Sequence, residues 1–599
     1  MIVKKARKGL FYVQKVDQLK NITLQHFTGL LIAFFLALAW LLPNHAVPWT
    51  TFHSEAWMAF VFACVGLTAL AFPRKKLNFY SINVVTMLLT PLPFVQYYFG
   101  LLPFFGQAAL GAIYIAGFLF AQIAGQQLQA WRPRWTGNIF FGAILAAAIV
   151  SVGMQLFQWL GFARDSSLTA IWIVAVDTLR PSANLAQPNL LATLILWGIV
   201  SVLWFNACGL ITKNSCVFII LFLLVGLALT QSRSGLVGLF LLLGVRLSLK
   251  KHGEQFPRKD LAVTLAALCL LFVWLIKPVS QWLLLDDMES ITARPSGQAR
   301  LLAWRMFLDA IADKPWFGYG WNNVMQAHLH AAEQHPEVGQ LFAQTHNLFL
   351  DLLVWTGIPI GIFLSLLMAC WLWAAFRKLS NKSQSAYFLI IFLAALHSMV
   401  EFPLHHAYFL LPFGLAVGVL SESLALHSLF RVGAIGRVFV AVALCFLLGI
   451  FALVVRDYFL LEAASTSLRF RNARVGIAQK INVPDSVLID QLKEQLNIFM
   501  LEPVGATSAK ELRNAHRLAT ALPSYHNMLK LITLLALSQR RDEAHQWMRR
   551  CPALLDKDAR RQLFVDWLHI QSSYPTLKDF GWVADSERVS NVVTDLSPP

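Results

Sequence analysis

Residues 343–367, AQTHNLFLDLLVWTGIPIGIFLSLL, decide what kind of chain this is. From Leu348 onward the run is mainly apolar over about 20 residues, enough to cross a bilayer as a helix. Only a helix or a closed barrel can do so, because lipid offers no partner to backbone polar groups. Yet a titratable histidine, His346, and an asparagine, Asn347, stand at the front edge of this run. Similar runs recur along the chain, about 13 in all, centred near residues 35, 64, 90, 114, 148, 199, 222, 241, 268, 361, 392, 416 and 446. The one near 90 is interrupted by Pro91 and Pro93, so it is expected to be kinked or re-entrant.

Composition agrees. Of 599 residues, 57% are hydrophobic and 14% charged, with a mean hydropathy of +0.58. These values exclude a soluble core and fit an all-α, polytopic integral membrane protein. The net charge of +17 is no nucleic-acid footprint, since membrane proteins accumulate Lys and Arg in cytoplasmic loops for insertion; no nucleic-acid partner is expected. Six of the seven cysteines lie in apolar runs, leaving Cys551 alone in the polar tail, so disulfides are not expected to hold the fold.

Cations set the orientation. The N-terminus MIVKKARKG is basic, and alternate loops carry PRKK at 73, RPR at 132, KKHGEQFPRK at 250, RKLSNK at 377 and RVGAIGR at 431. These face the cytoplasm. The polar leader from Lys4 to Lys20 does not read as a cleavable signal. An odd number of spans then places the segment after residue 456 outside. The division expected is a transmembrane catalytic part, 1–456, with a large outer loop at 277–346, and a helical outer domain, 457–599.

The chemistry gathers on the outer side: SANLAQPN (182–189), QSRSG (231–235), the loop 277–346 and EFPLHHAY (401–408). In that loop, ARLLAWRMFLDAIADKP places Leu301, Trp304, Leu308 and Ile311 at helical spacing, with Arg300 and Arg305 elsewhere on the cylinder and Pro315 ending it. It reads as a surface helix, either a lipid-anchored strut with snorkelling arginines or a helix presenting Arg300 to a phosphate. Arg233 lies between two apolar runs with only Gln231, Ser232 and Ser234 for polar company. It is either an interfacial topogenic residue or an anion ligand, guanidinium being the planar bidentate partner of phosphate. His397 and Glu401 share a helical face and precede His405, His406 and Tyr408. Zinc has too few ligands at the right spacing, so a hydrogen-bonded bracing cluster is expected, with no metal and no cofactor.

Together, QTHNLFLDLL, RLLAWRMFLDAIADKPWFGYGW, QSRSG and EFPLHHAYFLLPFG resemble the O-antigen ligase and polymerase superfamily. NLAQPN, the end of EFPLHHAYFLLP and the tail resemble its PglL-type branch, bacterial protein O-oligosaccharyltransferases that glycosylate pilins. The likeness covers most of residues 180–425. It implies that His346 matches an essential outer-loop histidine, Arg233 and Arg300 match arginines that hold a lipid diphosphate, and Gln187 and Tyr408 match further positions implicated in activity. Asn347, Arg305 and Glu401 are expected to line the substrate site. In SGQAR, Gln298 and Ala299 separate Gly297 from Arg300, where relatives often hold arginine closer to the glycine.

The expected partners follow: an undecaprenyl diphosphate-linked oligosaccharide, a pilin or other periplasmic acceptor protein, and the lipid bilayer of a Gram-negative inner membrane. His346 would take the proton of a serine or threonine hydroxyl as that oxygen displaces the diphosphate with inversion, imidazole being the side chain whose ordinary pKa suits the task. Position alone equally allows a helix-capping histidine. Residues 525–550 read as a helical hairpin with a turn at Gln539–Arg541, like one tetratricopeptide-type repeat, serving as a folded cap or an acceptor dock. An O-antigen ligase acting on lipid A core would share the site. A transporter should show charges within its spans and repeated halves, and neither is visible.

Overall fold

The computed structural model describes residues 27–45, 47–71, 76–163, 171–174, 180–248, 258–285, 296–475, 481–501 and 507–582. The basic leader, KKHGEQFPRK except its last residues, and the loop 286–295 lie outside them. Each apolar run of the sequence falls on helix. They are α1 (Phe27–Leu41), α2 (Phe52–Ala71), the broken pair α3 (Ser81–Leu89) and α4 (Leu92–Tyr98), α5 (Phe105–Trp131), α6 (Pro133–Trp159), α7 (Pro188–Ala207), α8 (Lys213–Leu229), α9 (Arg233–Ser248) and α10 (Lys259–Trp282). After the outer loop come α13 (Leu348–Lys378), α14 (Lys382–His397), α15 (Ala407–Ser423) and α16 (Ala434–Asn472). Seven of these are long and apolar enough to cross a membrane on their own; α1, α8 and α15 are shorter apolar helices. The run near 90 breaks between Leu89 and Leu92, as Pro91 and Pro93 require. Gln96, buried on α4, donates to the Trp355 carbonyl at 2.8 Å and accepts from Trp321 N–H at 2.8 Å.

Hydropathy decides who sits where. α7 is apolar all round and almost wholly buried, packed by α6, α8, α9 and α14, whereas α16 is apolar but mostly exposed, as a lipid-facing helix should be. α5 and α15 make the most extensive helix pair. Their backbones approach so closely at Gly418 that a Cβ there would meet the Gln122 carbonyl oxygen at 1.9 Å.

The described loops sort onto two faces. On one, β1 (Leu77–Tyr80) pairs antiparallel with β2 (Ser428–Val432), and Arg134 donates to the Cys208 carbonyl at 3.3 Å. This two-stranded ribbon was not legible in the sequence. On the other face, contacts join the loops at 45, 184, 230, 300, 346 and 401.

Within the outer loop, α11 (Ser296–Asp313) and α12 (Val324–Ala331) pack on the start of α13. α11 is a surface helix, but its faces differ from expectation. Ala303, Met306, Phe307 and Ala310 are buried with Ile311, while Leu301 and Leu308 are 62% and 54% exposed. Both faces carry apolar residues, and the one with Met306 and Phe307 is the one packed against α12 and α13. α13 is interrupted at Gly357 (φ 79°, ψ 174°), where the PWFGYG segment enters: Ile358 N–H bonds the Pro315 carbonyl and Tyr319 N–H the Val354 carbonyl, each at 2.7 Å. A Cβ at Gly357 would lie 2.4 Å from the Trp316 backbone.

The tail forms α17 (Asp490–Met500), α18 (Ala509–Ala521), α19 (Tyr525–Leu537), α20 (Arg541–Leu554) and α21 (Lys557–Ser573). α19 and α20 are the expected hairpin, turning at Ser538–Arg540. The boundary expected at 456/457 falls inside α16, a 39-residue helix of about 58 Å, against about 30 Å of hydrocarbon. Its far end joins α17 in a cluster with Phe52, Tyr458 and Leu461.

Candidate active site

The outer connections converge on the turn 345–347. His346 has φ 56°, in the left-handed region that side chains disfavour, so neighbours must hold the turn. Trp304 Nε1 of α11 donates to the Thr345 carbonyl at 2.8 Å. Thr345 N–H donates to Asp351 Oδ1 at 3.0 Å, and Leu348 N–H to the Ser398 carbonyl at 2.8 Å. Asn347 caps α13, its Oδ1 accepting from the N–H groups of Phe349 and Leu350 at 3.0 and 3.2 Å. Asn347, expected to line the substrate site, spends its side-chain oxygen on the helix end.

Glu401 is the centre. Only 2% exposed, it accepts on Oε1 from the Arg300 guanidinium and from Asn189 Nδ2 at 2.6 Å. Its Oε2 lies 3.4 Å from His346 Nδ1, a close contact outside full hydrogen-bond geometry. Burial by itself pushes the carboxyl up; His346, Arg300 and His397 outweigh it and hold Glu401 below the usual carboxylate range. Arg300 keeps 32% of its side chain exposed, so its other donors face outward.

One turn before Glu401, His397 bonds Thr193 Oγ1 at 2.5 Å and Ser234 Oγ at 2.7 Å, fastening α14 to α7 and α9. That is the bracing role expected of it. Ser234 follows Arg233, the exposed first residue of α9. The turn ahead of Arg233 is held by Arg180, whose Nε and terminal nitrogen donate to the Thr230 carbonyl at 2.9 and 2.5 Å, and which reaches Asn189 Oδ1 at 3.3 Å. Sequence reasoning passed over Arg180, just ahead of the SANLAQPN stretch, and Asn189, its last residue. Gln187 is the residue before α7, half-buried and two positions from Asn189.

Two of the expected site residues lie apart from this cluster. Tyr408 is only 2% exposed, and its ring stacks on that of His406 at 4.9 Å, within the 401–408 segment. Arg305 lies exposed on the face of α11 that carries Leu301 and Leu308, not beside Glu401. Among the described residues no group of three or more His, Cys, Asp or Glu side chains is arranged to hold a metal ion.

The structure thus brings His346, Arg300 and Glu401 together, with Arg233 and Gln187 on adjoining segments. Family models match the chain in this same order. They are described as "Protein glycosylation ligase" over residues 181–205, "O-Antigen ligase" over 218–365, and "Virulence factor membrane-bound polymerase, C-terminal" over 385–566. Over these stretches the chain is similar to the O-antigen ligase family and to protein glycosylation ligases. Among relatives in Acinetobacter baylyi, it is similar to a general O-oligosaccharyltransferase, 27% identical over 88% of this chain and 92% of the relative. It is also similar to a ComP-specific O-oligosaccharyltransferase, 28% identical over 65% of this chain and 70% of that one. The protein is a membrane-bound glycosyltransferase of the oligosaccharyltransferase class.

Proposed function

We propose that the protein moves a glycan from undecaprenyl diphosphate to a serine or threonine hydroxyl of a periplasmic protein, a type IV pilin, at the outer face of a Gram-negative inner membrane. One observation carries this reading: a single buried carboxylate, Glu401, gathers an imidazole and a guanidinium at the outer face of the helix bundle. With Nδ1 turned to Glu401, His346 presents Nε2 to the acceptor. The hydroxyl oxygen bonds to the anomeric carbon while its proton passes to Nε2, and the bond from that carbon to the diphosphate oxygen breaks. The negative charge that leaves on the diphosphate meets Arg300 and Arg233, the latter at the N-terminus of α9 where the helix dipole adds to it. Direct displacement inverts the anomeric centre; no metal enters these steps.

The transmembrane part would hold the donor. The tail, packed against the outer loop, would dock the acceptor, a need that transfer to lipid A core does not share.

The test is intact-mass spectrometry of a candidate pilin co-expressed with a lipid-linked oligosaccharide pathway and either the wild-type protein or a stably inserted His346→Ala variant. A glycan-sized mass gain that vanishes in the variant is the expected result. No gain on pilin with modified lipopolysaccharide would assign the protein as a ligase, and a gain that survives the substitution would remove His346 as the base.

A further inference from the structure

We infer that Asp351 is a positioning residue for the reaction, the carboxylate that sets the distance between His346 and Glu401, with His405 as its partner. The inference rests on the proposed roles of His346 and Glu401.

The geometry is specific. Asp351 is buried in the first turn of α13. Its Oδ1 accepts the N–H of Thr345, the residue before His346, at 3.0 Å, and its Oδ2 lies 3.0 Å from Nε2 of His405, four residues after Glu401. The two oxygens of one side chain therefore tie together the segments that carry the base and its orienting carboxylate. Neither segment is regular helix at that point. The turn holds His346 at φ 56°, and 401–406 is a loop with one turn of 3-10 helix at Pro403–His405. The His346–Glu401 contact, at 3.4 Å, thus depends on cross-braces; beside the His346–Phe402 ring contact at 5.1 Å, Asp351 is a side chain that hydrogen-bonds both segments.

Other bonds at each segment divide the work differently. Trp304 and Ser398 hold the turn alone. Glu55 holds the other segment alone, through His406 Nδ1 at 3.2 Å. The Asp351–His405 pair is also shielded, with the Trp355 ring 5.3 Å from the imidazole, so water does not compete for it. Misplacement of a catalytic group by about 1 Å costs up to about 10²-fold in rate, which sets the scale for loosening this brace.

The experiment uses the full chain purified in detergent, with an undecaprenyl diphosphate-linked oligosaccharide as donor and a pilin as acceptor. Asp351→Asn keeps an oxygen for Thr345 N–H but sets an amide against His405. The expected result is a kcat about tenfold lower or more, the donor KM within about twofold of wild type, and an unchanged unfolding temperature. Unchanged kcat, or a loss carried by KM, overturns the inference. His405 supplies a second arm that does not depend on that variant folding. His405→Gln retains an N–H donor and should stay within about threefold of wild type, while His405→Leu should lose about tenfold in kcat; equal rates for the two overturn the inference. A wild-type protein that transfers nothing would instead sink the proposed function, so the two failures are distinguishable.

Discussion

At the scale of single residues, Glu401 carries the heaviest load, because it neutralises Arg300 and orients His346 from an almost dry position. Replacing it with an isosteric amide, Glu401→Gln, removes the charge and keeps the volume. Transfer should fall about 10²-fold or more, the scale of losing an oriented base. Stability should drop by about 1–3 kcal/mol, less than for a fully buried pair because Arg300 retains access to water. Glycan transfer and thermal unfolding in detergent read the two effects. Because the Glu401 carboxyl is depressed, its contribution is fully present above the ordinary glutamate value of about 4.3 and is lost as pH falls through its lower folded value. Arg305→Ala is the matching control: it lies on the outward face of α11 and should leave kcat within about twofold of wild type, and a tenfold loss would return Arg305 to the site.

At the scale of elements, two contacts are exacting. The α5–α15 pair closes over Gly418 with no room for a Cβ. Gly418→Leu should cost about 1–3 kcal/mol or more through overpacking, visible as a lower unfolding temperature in detergent. In the outer loop, His328 of α12 accepts Phe342 N–H on Nδ1 at 3.2 Å, with Nε2 turned toward the Ala553 backbone of α20 without a full hydrogen bond. Burial lowers its pKa to about 4. Unfolded histidine takes up a proton from about pH 6.5 downward and folded His328 does not, so stability falls between about pH 6.5 and 4, by about 3 kcal/mol in all. His328→Asn keeps the acceptor and removes the titration. The stability gap between wild type and variant should therefore change by that amount across the window; parallel curves would refute a buried neutral His328.

At the scale of the whole molecule, the tail is not a loose appendage. Phe104, Leu329 and Ala332 of the membrane part and outer loop share one apolar cluster with Leu512, Leu531 and Trp547 of the tail. Asp490 accepts the N–H groups of Phe105 and Gly106 at 3.1 and 2.9 Å, capping α5, and Arg550 pairs with Glu333 at 2.9 Å. Deleting residues 475–599 strips that cluster from the loop that carries His346. The truncated chain should lose thermal stability and, with it, both transfer to protein and release of glycan to water. Selective loss of protein transfer in a chain of undiminished stability would show that the tail docks the acceptor without bracing the site.

The sequence by itself determined the apolar runs that form helices, the break near residue 90 and the gathering of the polar motifs on one face. Those features follow from local composition: an apolar run of span length has one stable state in lipid, proline breaks a helix wherever it falls, and cations sort loops one at a time. Only the tertiary structure decided which polar residues meet. Glu401 bonds Arg300 across 101 positions and Asn189 across 212, distances at which no periodicity carries information. It also decided which face of α11 is buried, since both faces are apolar, and turned Tyr408 inward and Arg305 outward. The physical reason is that a helix fixes its own backbone bonds, whereas the partner of each polar side chain is set by how neighbouring helices pack.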